Sequence, residues 1–532
     1  MPDPPSFQAQ PPLVLAVDLG TGGPKVALFD TSVRLLAEAF CPVETHLPAQ
    51  GAAEQNPENW WKAIQKGCAE LDRKVPGSLA RVAYVACTGQ WSGTVALDAQ
   101  GVPVHPCLTW MDSRGAGEIR SLMAGWPSVS GYGLVKALRW IRLTGGAPSL
   151  SGKDPLGHIL WLKKHHPDLY EATETFLEPV DYLNFRLTGR RCASFDSITV
   201  HWLTDNRRAD AVVYHEGLIR ATGLDARKLP ELVATGRWIG TVSTQAAAEL
   251  GIPTTAQVLT ACGDIHSAAV GSGATQDWIP HFYIGTSSWL IPHVPRKITD
   301  LQNNIGALPA ALPGRYILAN EQEAAGKCLQ FLRDNVLFDQ DSLSHGEAPT
   351  EFYKKLDETA VQSPAGSEGL IFFPWLNGER TPYEDHHMRG GFFNLHLRHR
   401  RCHILRSVLE GVALNARLIL EALQKHAPHR IERVHMIGGG AQSALWCRIT
   451  ADVMHVRVLQ IAQSQQCNTR GAAILALLAA GLIPRENLEK WAPVENVWDP
   501  DPANVKIYQK SFEVFKRYYS CNKKFWKQLN SS

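Results

Sequence analysis

The stretch LVLAVDLGTGGPKVALFD, residues 13–30, determines the fold prediction. An apolar run, a glycine-rich turn and a second apolar run follow one another, which predicts two strands joined by a tight turn. The stretch HFYIGTSSWLIPHV, residues 281–294, has the same form, and its Gly-Thr pair repeats that of the first stretch after about half of the chain. Two such hairpins predict two similarly built α/β domains that face one another across a cleft. Clefts between domains are common ligand sites.

The length of the chain supports this division. A chain of 532 residues is too long for one ordinary core. We predict a disordered tail at residues 1–12, where five prolines occur, an N-terminal domain at 13–255, a C-terminal domain at 256–485 and a helical segment at 486–532. The boundary is placed where GIPTT, residues 251–255, interrupts the pattern of strands and helices.

Composition and charge narrow the class of partner. Lysine and arginine number 53 against 51 aspartates and glutamates, so the net charge of +2 does not favour nucleic acid or an anionic membrane, and a small molecule is expected. No apolar run is long enough for a spanning helix, and no targeting peptide is recognised. The 11 cysteines include no C-x-x-C pair, which favours a reducing compartment, by default the cytoplasm. The oligomeric state stays open, a homodimer included.

Three glycine-rich turns follow predicted strands, at residues 20–23, 285–288 and 438–440. Backbone N–H groups at glycine can approach a phosphate closely, so such turns are able to cradle a nucleotide. Taken singly, each is more typical of a plain turn. Neither the P-loop pattern nor a GxGxxG fingerprint after a strand occurs.

Two aspartates stand at predicted strand ends, Asp18 before the first turn and Asp264 at the end of VLTACGD. Carboxylates at strand ends that face a cleft can hold a metal ion through water or accept a proton from a hydroxyl nucleophile. The alternative is that each caps its own backbone at a turn. Residue type and position leave both interpretations open.

The order of the motifs adds a family resemblance. Seven blocks between Asp18 and Val458 resemble those of the FGGY family of carbohydrate kinases: DLGTGGPK (18–25), ACTGQWSGTVALDAQGVPVHPCLTWMDSR (86–114), EPVDYLNFRLTGRRCASFDSIT (178–199), CGDIHSAAVGSGA (262–274), IGTSSWL (284–290), GLIFFPWLNGERTPYEDHHMRGGFF (369–393) and MIGGGAQSALWCRITADVMHVRV (436–458).

The resemblance implies an α/β fold with two actin-like ATPase (RNase H-like) domains facing a central cleft that binds ATP, Mg²⁺ and a sugar or polyol. It implies that Asp264 accepts the proton of the attacking hydroxyl, and that Asp18 and Asp264 hold Mg²⁺, largely through water. It further implies a set of nucleotide-binding residues: Gly20, Thr21, Gly22, Lys25, Gly285, Thr286, Gly439, Gly440 and Ala441.

Within that family the blocks look most like the members that phosphorylate xylulose. The implied reaction converts D-xylulose to D-xylulose 5-phosphate with the γ-phosphate of MgATP. The implied sugar contacts are Gln90, Trp91, Ser92, Asp112, Arg114 and Asp264. Those members typically carry Gln-Met-His-Gly where this chain has Gln-Trp-Ser-Gly, residues 90–93. A kinase for another ketose or a polyol, of the ribulose, ribitol or arabitol type, is therefore the first alternative. A catalytically silent actin-like nucleotide-binding protein is the second.

The last part of the chain, from Lys506, has seven lysines and arginines with aromatic residues between them. This composition occurs in interfacial or RNA-contacting helices. We favour a terminal helix that packs its aromatic residues on the protein body and leaves its lysines in solvent, because long basic side chains extend to water in this way.

Overall fold

The computed structural model describes residues 11–339, 341 and 346–530. Of the predicted tail at residues 1–12, only the last two residues belong to the described part. Strands of one large sheet occupy the first half of the chain, and strands of a second large sheet occupy the rest. The predicted α/β fold with two similarly built halves is confirmed.

The first sheet has seven strands: β1 (Leu13–Gly20), β2 (Gly23–Phe29), β3 (Leu35–Phe40), β4 (Val82–Gly89), β5 (Trp238–Thr241), β6 (Gln257–Leu259) and β7 (Cys262–Gly263). Their order is β5-β6-β4-β1-β2-β3, and β7 also pairs with β4. Strands β1 to β3 form an antiparallel meander, whereas β1, β6 and β7 all run parallel to β4. The apolar residues of β1 are buried, as the sequence of a central strand requires.

The second sheet has eight strands: β8 (Pro280–Ile284), β9 (Ser288–Val294), β10 (Thr299–Asp300), β11 (Ile305–Pro309), β12 (Tyr316–Ala319), β13 (Arg433–Ile437), β14 (Arg457–Ile461) and β15 (Val494–Trp498). Their order is β10-β11-β12-β9-β8-β13-β14-β15. The hairpin β8–β9 is antiparallel, β8, β13 and β14 run parallel, and β15 runs antiparallel to β14. The first sheet has the same pattern and the same chain order in β2-β1-β4-β6, so the two halves share one topology in these four strands. The edge strands differ, because β5 precedes β6 in the chain whereas β15 follows β14.

The labelled helices are α1 (Pro57–Lys74), α2 (Leu134–Thr144), α3 (Pro155–His165), α4 (Asp264–Gly271), α5 (Gly326–Leu332), α6 (Arg401–Gln424), α7 (Ala444–Met454), α8 (Cys467–Ala479) and α9 (Pro502–Asn530). Further helices span Ala116–Met123, Pro167–Ala172, Pro179–Thr188, Glu216–Thr222, Thr244–Leu250 and Phe352–Ala360. Short strand pairs join Glu54–Gln55 to Cys107–Leu108, Val95–Leu97 to Thr175–Leu177, Ser128–Val129 to Tyr132–Gly133, Cys192–Ser194 to Glu231–Val233, Thr204–Asp205 to Val213–Tyr214, and Ile371–Phe373 to Gly391–Phe393.

Helices α4 and α8 cross and pack against one another, and α8 also packs on β1 and β4. Two glycines face one another at this crossing. A Cβ atom on Gly271 would lie 1.8 Å from the carbonyl oxygen of Cys467, and one on Gly471 would lie 1.9 Å from the carbonyl oxygen of Ser267. The two helices therefore touch through backbone atoms, and no side chain fits at either position.

The predicted boundary at residue 255 stays a prediction. The strand that follows it, β6, is hydrogen bonded within the first sheet. The stretch VLTACGD, predicted as one strand, forms β6 and β7 with a break at residues 260–261, and Asp264 begins α4 instead of ending a strand. The break arises because the chain changes its pairing register with β4 between β6 and β7.

The C-terminal segment at 486–532 is helical only in part, which corrects the prediction for it. Residues Val494–Trp498 form β15 at the edge of the second sheet, and α9 begins at Pro502. Edge position explains the missed strand, since four of its five residues are exposed and show no apolar alternation. Helix α9 packs its aromatic residues on the body as predicted: Phe515 and Tyr518 stack on Phe373, with ring centroids 4.8 and 3.8 Å apart.

Within the described residues, no helix is both long and apolar enough to cross a membrane. Each of the 11 cysteines is free.

Candidate active site

The first hairpin presents Asp18 opposite Lys25 on adjacent antiparallel strands. The turn between them requires glycine at one position: Gly23 has a φ of +130°, and a Cβ atom there would lie 2.1 Å from the carbonyl oxygen of Cys41. The Lys25 ammonium group donates to the backbone carbonyl of Gln465, 2.6 Å away, in the loop before α8. The hairpin of the first half is thus tied to the second half by this hydrogen bond.

Two hydrogen bonds from side chains of the first half hold the turn residue Thr21 in place. Its carbonyl oxygen accepts from the Gln55 side-chain amide at 2.7 Å, and its hydroxyl oxygen accepts from the Trp110 indole at 2.9 Å. Trp110 is therefore a hydrogen-bonded wall residue beside the turn. These bonds fix the turn, so that its backbone N–H groups have a defined direction.

The second carboxylate begins helix α4. One oxygen of Asp264 accepts the N–H of Ile265 at 2.8 Å. The helix is held against the first sheet by a hydrogen bond between the hydroxyls of Thr88, on β4, and Ser267, on α4, with the oxygens 2.7 Å apart. Asp264 therefore stands at the junction of the two halves, on the end of a helix anchored to both.

Asp18 and Asp264 share one partly enclosed site. Burial raises the pKa of Asp18 to about 6, and Lys25 opposes this shift. Burial first, and the negative charge of Asp18 second, raise the pKa of Asp264 to about 7. The same two carboxylates contribute, after burial, to raising the pKa of Tyr283 to about 12. Tyr283 lies on β8 and stacks on Trp289 of β9, with ring centroids 4.0 Å apart, so this ring pair belongs to the second half and lies near both carboxylates.

The carboxylates fit a hard cation. Oδ1 of Asp18 is buried and, among the residues described, has no hydrogen-bond partner. An unpaired buried carboxylate oxygen beside a second carboxylate is unfavourable without a neutralising ligand. Oxygen donors of this kind are the ligands that Mg²⁺ takes, usually with several waters retained.

The second hairpin is braced by the start of helix α5. The N–H of Gly285 donates to the carbonyl of Ser287 at 2.9 Å, and the carbonyl of Gly285 accepts from Gly326 at 2.8 Å. The carbonyl of Thr286 accepts from the N–H groups of two residues at the helix start, Ala325 at 2.9 Å and Lys327 at 3.2 Å. The turn at Gly285-Thr286 is therefore as firmly fixed as the first one.

The third glycine turn follows strand β13. Gly438 has a φ of +87°. Gly440 and Ala441 are buried, and a Cβ atom on Gly440 would lie 2.6 Å from the Ile284 side chain. Gly439 is exposed, and a Cβ atom there would meet nothing within 4 Å. Of the three glycines in this turn, Gly439 borders open space directly, whereas Gly440 permits the turn to pack closely against the second hairpin.

The predicted sugar loop lies after strand β4. The Gln90 side chain is buried and donates to Gln55 at 2.9 Å, while its own oxygen has no partner among the residues described. The Trp91 indole donates to the carbonyl of Ser197 at 2.7 Å, and its ring meets the edge of His266, 4.9 Å between centroids. Ser92 has a φ of +67°. This loop therefore touches the helix that carries Asp264.

Asp112 and Arg114 form a structural ion pair beside this loop. Asp112 is fully buried, and its carboxylate accepts from the N–H of Ala53 at 2.9 Å and from the Arg114 guanidinium at 2.7 Å. Arg114 also pairs with Glu54 and lies over the Trp161 ring, 4.1 Å from its centroid. Direct sugar binding by this pair stays a prediction, because both groups are already engaged.

Sequence reasoning missed a charged group on the cleft walls that consists of Arg380, Glu321 and Glu323. The arginine is far from the two glutamates in the sequence, so no local motif indicates that they meet. Arg380 pairs with Glu321, and with Glu323 at 2.6 Å. The buried Glu379 carboxyl holds this group in place, accepting the N–H groups of Arg380 at 2.8 Å and of Glu323 at 2.9 Å. After burial, the charges of Arg380, Glu323 and Glu321 act on the pKa of Lys153, a residue of the first half.

The structure thus brings Asp18, Lys25 and Asp264 together and fixes all three predicted glycine turns. Two α/β halves of one topology, each with a braced glycine hairpin and with two carboxylates between them, define a phosphotransferase of the actin-like ATPase fold.

The chain belongs to the FGGY family of carbohydrate kinases. The model of the N-terminal domain of that family matches residues 13–271, and the model of its C-terminal domain matches residues 282–480. The protein is therefore a carbohydrate kinase that acts on an alcohol group of a small-molecule substrate.

Named relatives agree with the family. The chain is 26% identical over 528 residues to a xylulose kinase of Staphylococcus epidermidis, covering 97% of this chain and 98% of that protein. A crystal structure of gluconate kinase from Lactobacillus acidophilus has a TM-score of 0.85 at 22% identity, covering 97% and 99%. That of a ligand-bound xylulose kinase from the same organism has a TM-score of 0.84 at 21% identity, covering 97% and 100%. The fold is thus shared by kinases named for different sugars.

Proposed function

We propose that the protein transfers the γ-phosphate of MgATP to D-xylulose and forms D-xylulose 5-phosphate. The observation that carries the proposed chemistry is the proximity of two carboxylates at the junction of the two halves. The charge of Asp18 adds to the effect of burial and raises the pKa of Asp264. The near full-length similarity to a xylulose kinase supports the choice of sugar. We also propose that ATP contacts the residues predicted to bind a nucleotide: Gly20, Thr21, Gly22, Lys25, Gly285, Thr286, Gly439, Gly440 and Ala441.

The residues have separate roles in this proposal. Asp264, whose pKa is raised to about 7, accepts the proton of the sugar hydroxyl as that oxygen attacks the phosphorus atom. Asp18 and Asp264 hold Mg²⁺ through water; the ion, when bound, neutralises phosphate charge. The turn at Gly20–Gly22 and the backbone N–H of Thr286 contact the phosphates from opposite sides of the cleft, whereas the N–H of Gly285 is bonded to the carbonyl of Ser287. Closure of the halves would exclude water and limit hydrolysis of ATP.

A second candidate is a kinase for another ketose or for a polyol. The observation that favours it is the sugar loop, where the Trp91 indole is bonded to Ser197 and Ser92 stands beside it. A bulky ring at this place changes the shape of the sugar pocket, and small shape differences give modest discrimination between similar substrates.

An ADP-release assay over a panel tests the proposal. We would supply D-xylulose, D-ribulose, ribitol, D-arabitol and D-gluconate with MgATP and identify the phosphorylated carbon. The highest kcat/KM with D-xylulose, and phosphate at carbon 5, are expected. A higher kcat/KM with another compound of the panel would identify that compound, and not D-xylulose, as the preferred substrate. ATP hydrolysis without transfer to any of them would contradict the proposed transfer itself and favour the silent nucleotide-binding alternative.

We also propose a reducing compartment such as the cytoplasm, supported by the 11 free thiols. A homodimer stays a proposal that a measurement of mass in solution decides.

A further inference from the structure

The sequence block at residues 178–199 has no role in the proposed transfer, yet its first residue contacts the sugar loop. Glu178 is fully buried and directly precedes the helix Pro179–Thr188. One oxygen of its carboxyl group, Oε2, accepts the backbone N–H of Gly93 at 3.0 Å. The N–H of Ser92 also bonds to this carboxyl group and lowers its pKa. Two consecutive N–H groups of the loop 90–93 therefore face one buried carboxyl group.

The backbone at this end of the loop adopts a conformation that needs support. Ser92 has a φ of +67°, in the left-handed region that residues other than glycine rarely occupy. Such a conformation persists where the surrounding structure fixes it. Gly93 packs directly on the start of the helix, since a Cβ atom there would lie 2.6 Å from the ring of Pro179. The bond to Glu178 and the contact with Pro179 supply the support.

The same block also holds the middle of the loop. The Trp91 indole donates to the carbonyl oxygen of Ser197 at 2.7 Å. The Ser197 hydroxyl donates in turn to the buried carboxyl group of Asp181 at 2.8 Å, and Asp181 lies on the helix that Glu178 precedes. Residues 178–199 therefore fix the sugar loop at two points, the indole of Trp91 and the N–H of Gly93.

The second oxygen of the Glu178 carboxyl group lies inside the core. Oε1 is 3.5 Å from Nε2 of His201, and both side chains are fully buried. Neither atom has a hydrogen-bond partner in the part of the chain that the structure describes. Burial first, and the charge of Asp181 second, raise the pKa of Glu178 well above its usual value, and burial lowers the pKa of His201 to about 3. A neutral carboxyl group can donate from Oε1 to the imidazole while it accepts from Gly93 at Oε2.

We propose that Glu178 is a positioning residue for the sugar, which holds the loop 90–93 through the N–H of Gly93 in the conformation that receives the substrate. This inference rests on the proposed function, in which the loop contacts the sugar. It extends that function to a residue that does not touch the substrate, because both oxygens of Glu178 face groups inside the protein. A small displacement of groups that orient a substrate has a large effect on the reaction.

The test compares Glu178→Met, which keeps the length of the side chain and removes both oxygens, with Glu178→Gln. The glutamine amide reproduces the neutral carboxyl group, because its oxygen can accept the N–H of Gly93 and its NH₂ group can donate to His201. We expect Glu178→Met to raise the KM for the sugar that the panel identifies as preferred about 10- to 100-fold, and to leave the KM for MgATP unchanged. Glu178→Gln should recover most of this loss.

Asn184→Met is the matched control for the loss of a buried polar group. Asn184 is buried in the same helix, and its amide donates to the Leu259 carbonyl at 2.9 Å, outside the sugar loop. This variant should lower the Tm, as Glu178→Met does, and leave the KM for the sugar unchanged. Should Glu178→Met not fold, Glu178→Asp replaces it. Aspartate draws the carboxyl group back from Gly93 by one methylene, so the KM for the sugar should rise in the same direction.

The outcomes separate the two proposals. No turnover of any sugar in the panel by the unaltered protein would overturn the proposed function and this inference with it. An active protein whose sugar KM is the same after Glu178→Met, or after Glu178→Asp where the methionine variant does not fold, would overturn the inference alone. A Glu178→Gln protein as impaired as Glu178→Met would refute the hydrogen-bonding role. An equal rise in the KM for sugar and for MgATP, or a rise in the sugar KM of the same size in Asn184→Met, would also overturn the inference, because either would indicate a general structural role.

Discussion

Asp264 lies within electrostatic range of Asp18, and after burial it is this neighbouring charge that contributes most to raising the pKa of Asp264 to about 7. Two carboxylates in a partly enclosed site resist ionising together unless a cation joins them. The proton affinity of Asp264, the proposed base, is therefore coupled to Asp18, which is proposed to help hold Mg²⁺. Because the two sites interact, a titration reports the pair and not one residue.

This coupling predicts a pH dependence of the rate. The base must be unprotonated, so kcat/KM for the sugar should rise with pH and level off above about 7, with a loss of about tenfold per pH unit on the acid side. Higher Mg²⁺ concentrations should move the midpoint to lower pH, since a cation favours the ionised form. The measurement is an ADP-release profile from pH 5.5 to 8.5 at two Mg²⁺ concentrations. A flat profile would contradict Asp264 as the base.

Asp264→Asn should lower turnover about 10²- to 10⁴-fold while raising thermal stability at pH 8. The sign follows from the raised pKa of Asp264. Between pH 4 and 7 the folded state binds more protons than the unfolded state, so the contribution of this carboxyl group to the free energy of unfolding falls as the pH rises. We expect a gain of a few degrees in Tm at pH 8 and little at pH 5. Asp168→Asn, on the exposed helix Pro167–Ala172, is the control and should change neither quantity.

Lys25→Met should weaken MgATP binding more at pH 6 than at pH 8. Lys25 opposes the rise in the pKa of Asp18 that burial causes, so its removal should raise that pKa above about 6 and leave more of Asp18 protonated in weak acid. The bond to the Gln465 carbonyl is lost at both pH values. Calorimetric titration with MgATP at the two pH values measures the difference. Lys74→Met, which removes an exposed bond to the Glu38 carbonyl and an exposed ion pair with Glu70, is the control. Equal losses at both pH values would refute the electrostatic role.

Gly471→Ala should destabilise the fold by about 3 kcal/mol or more, because the new Cβ atom would lie 1.9 Å from the Ser267 carbonyl oxygen and force two helices apart. Gly117→Ala is the matched control. It lies in the helix Ala116–Met123, a Cβ atom there meets nothing within 4 Å, and alanine favours helix, so a small gain is expected. Denaturant unfolding of both variants measures the contrast. A stable Gly471→Ala protein would show that α4 and α8 can separate freely.

Lys297→Met should destabilise the contact between the halves by about 1 to 3 kcal/mol. Lys297 donates to the carbonyls of Ile141, Arg142 and Leu143 at the end of helix α2, and those of Ile141 and Leu143 also accept the N–H groups of Gly145 and Asn206. Lys136→Met removes a single bond, to the Leu122 carbonyl, and should have a smaller effect. Thermal unfolding ranks the two variants. Equal shifts would indicate that the end of α2 does not depend on Lys297.

Sequence reasoning succeeded where a signal is local. The hairpins at 13–30 and 281–294 are recognisable because strand, turn and strand lie within twenty residues. Strand β15 was missed because an edge strand with exposed side chains carries no apolar alternation. Lys153, Glu321 and Arg380 were missed because they come from three distant segments, and only the folded chain makes them neighbours.

The backbone contact of Gly271 with Gly471 bears on how such enzymes can be recombined. A chimaera that takes its first 260 residues from one kinase and the remainder from another keeps this crossing intact, because both glycines then come from one parent. A junction placed between α4 and α8 would draw them from different parents and would require glycine in each. The crossing therefore defines where exchange of segments between two parents can preserve the joint, whatever sugar each parent phosphorylates.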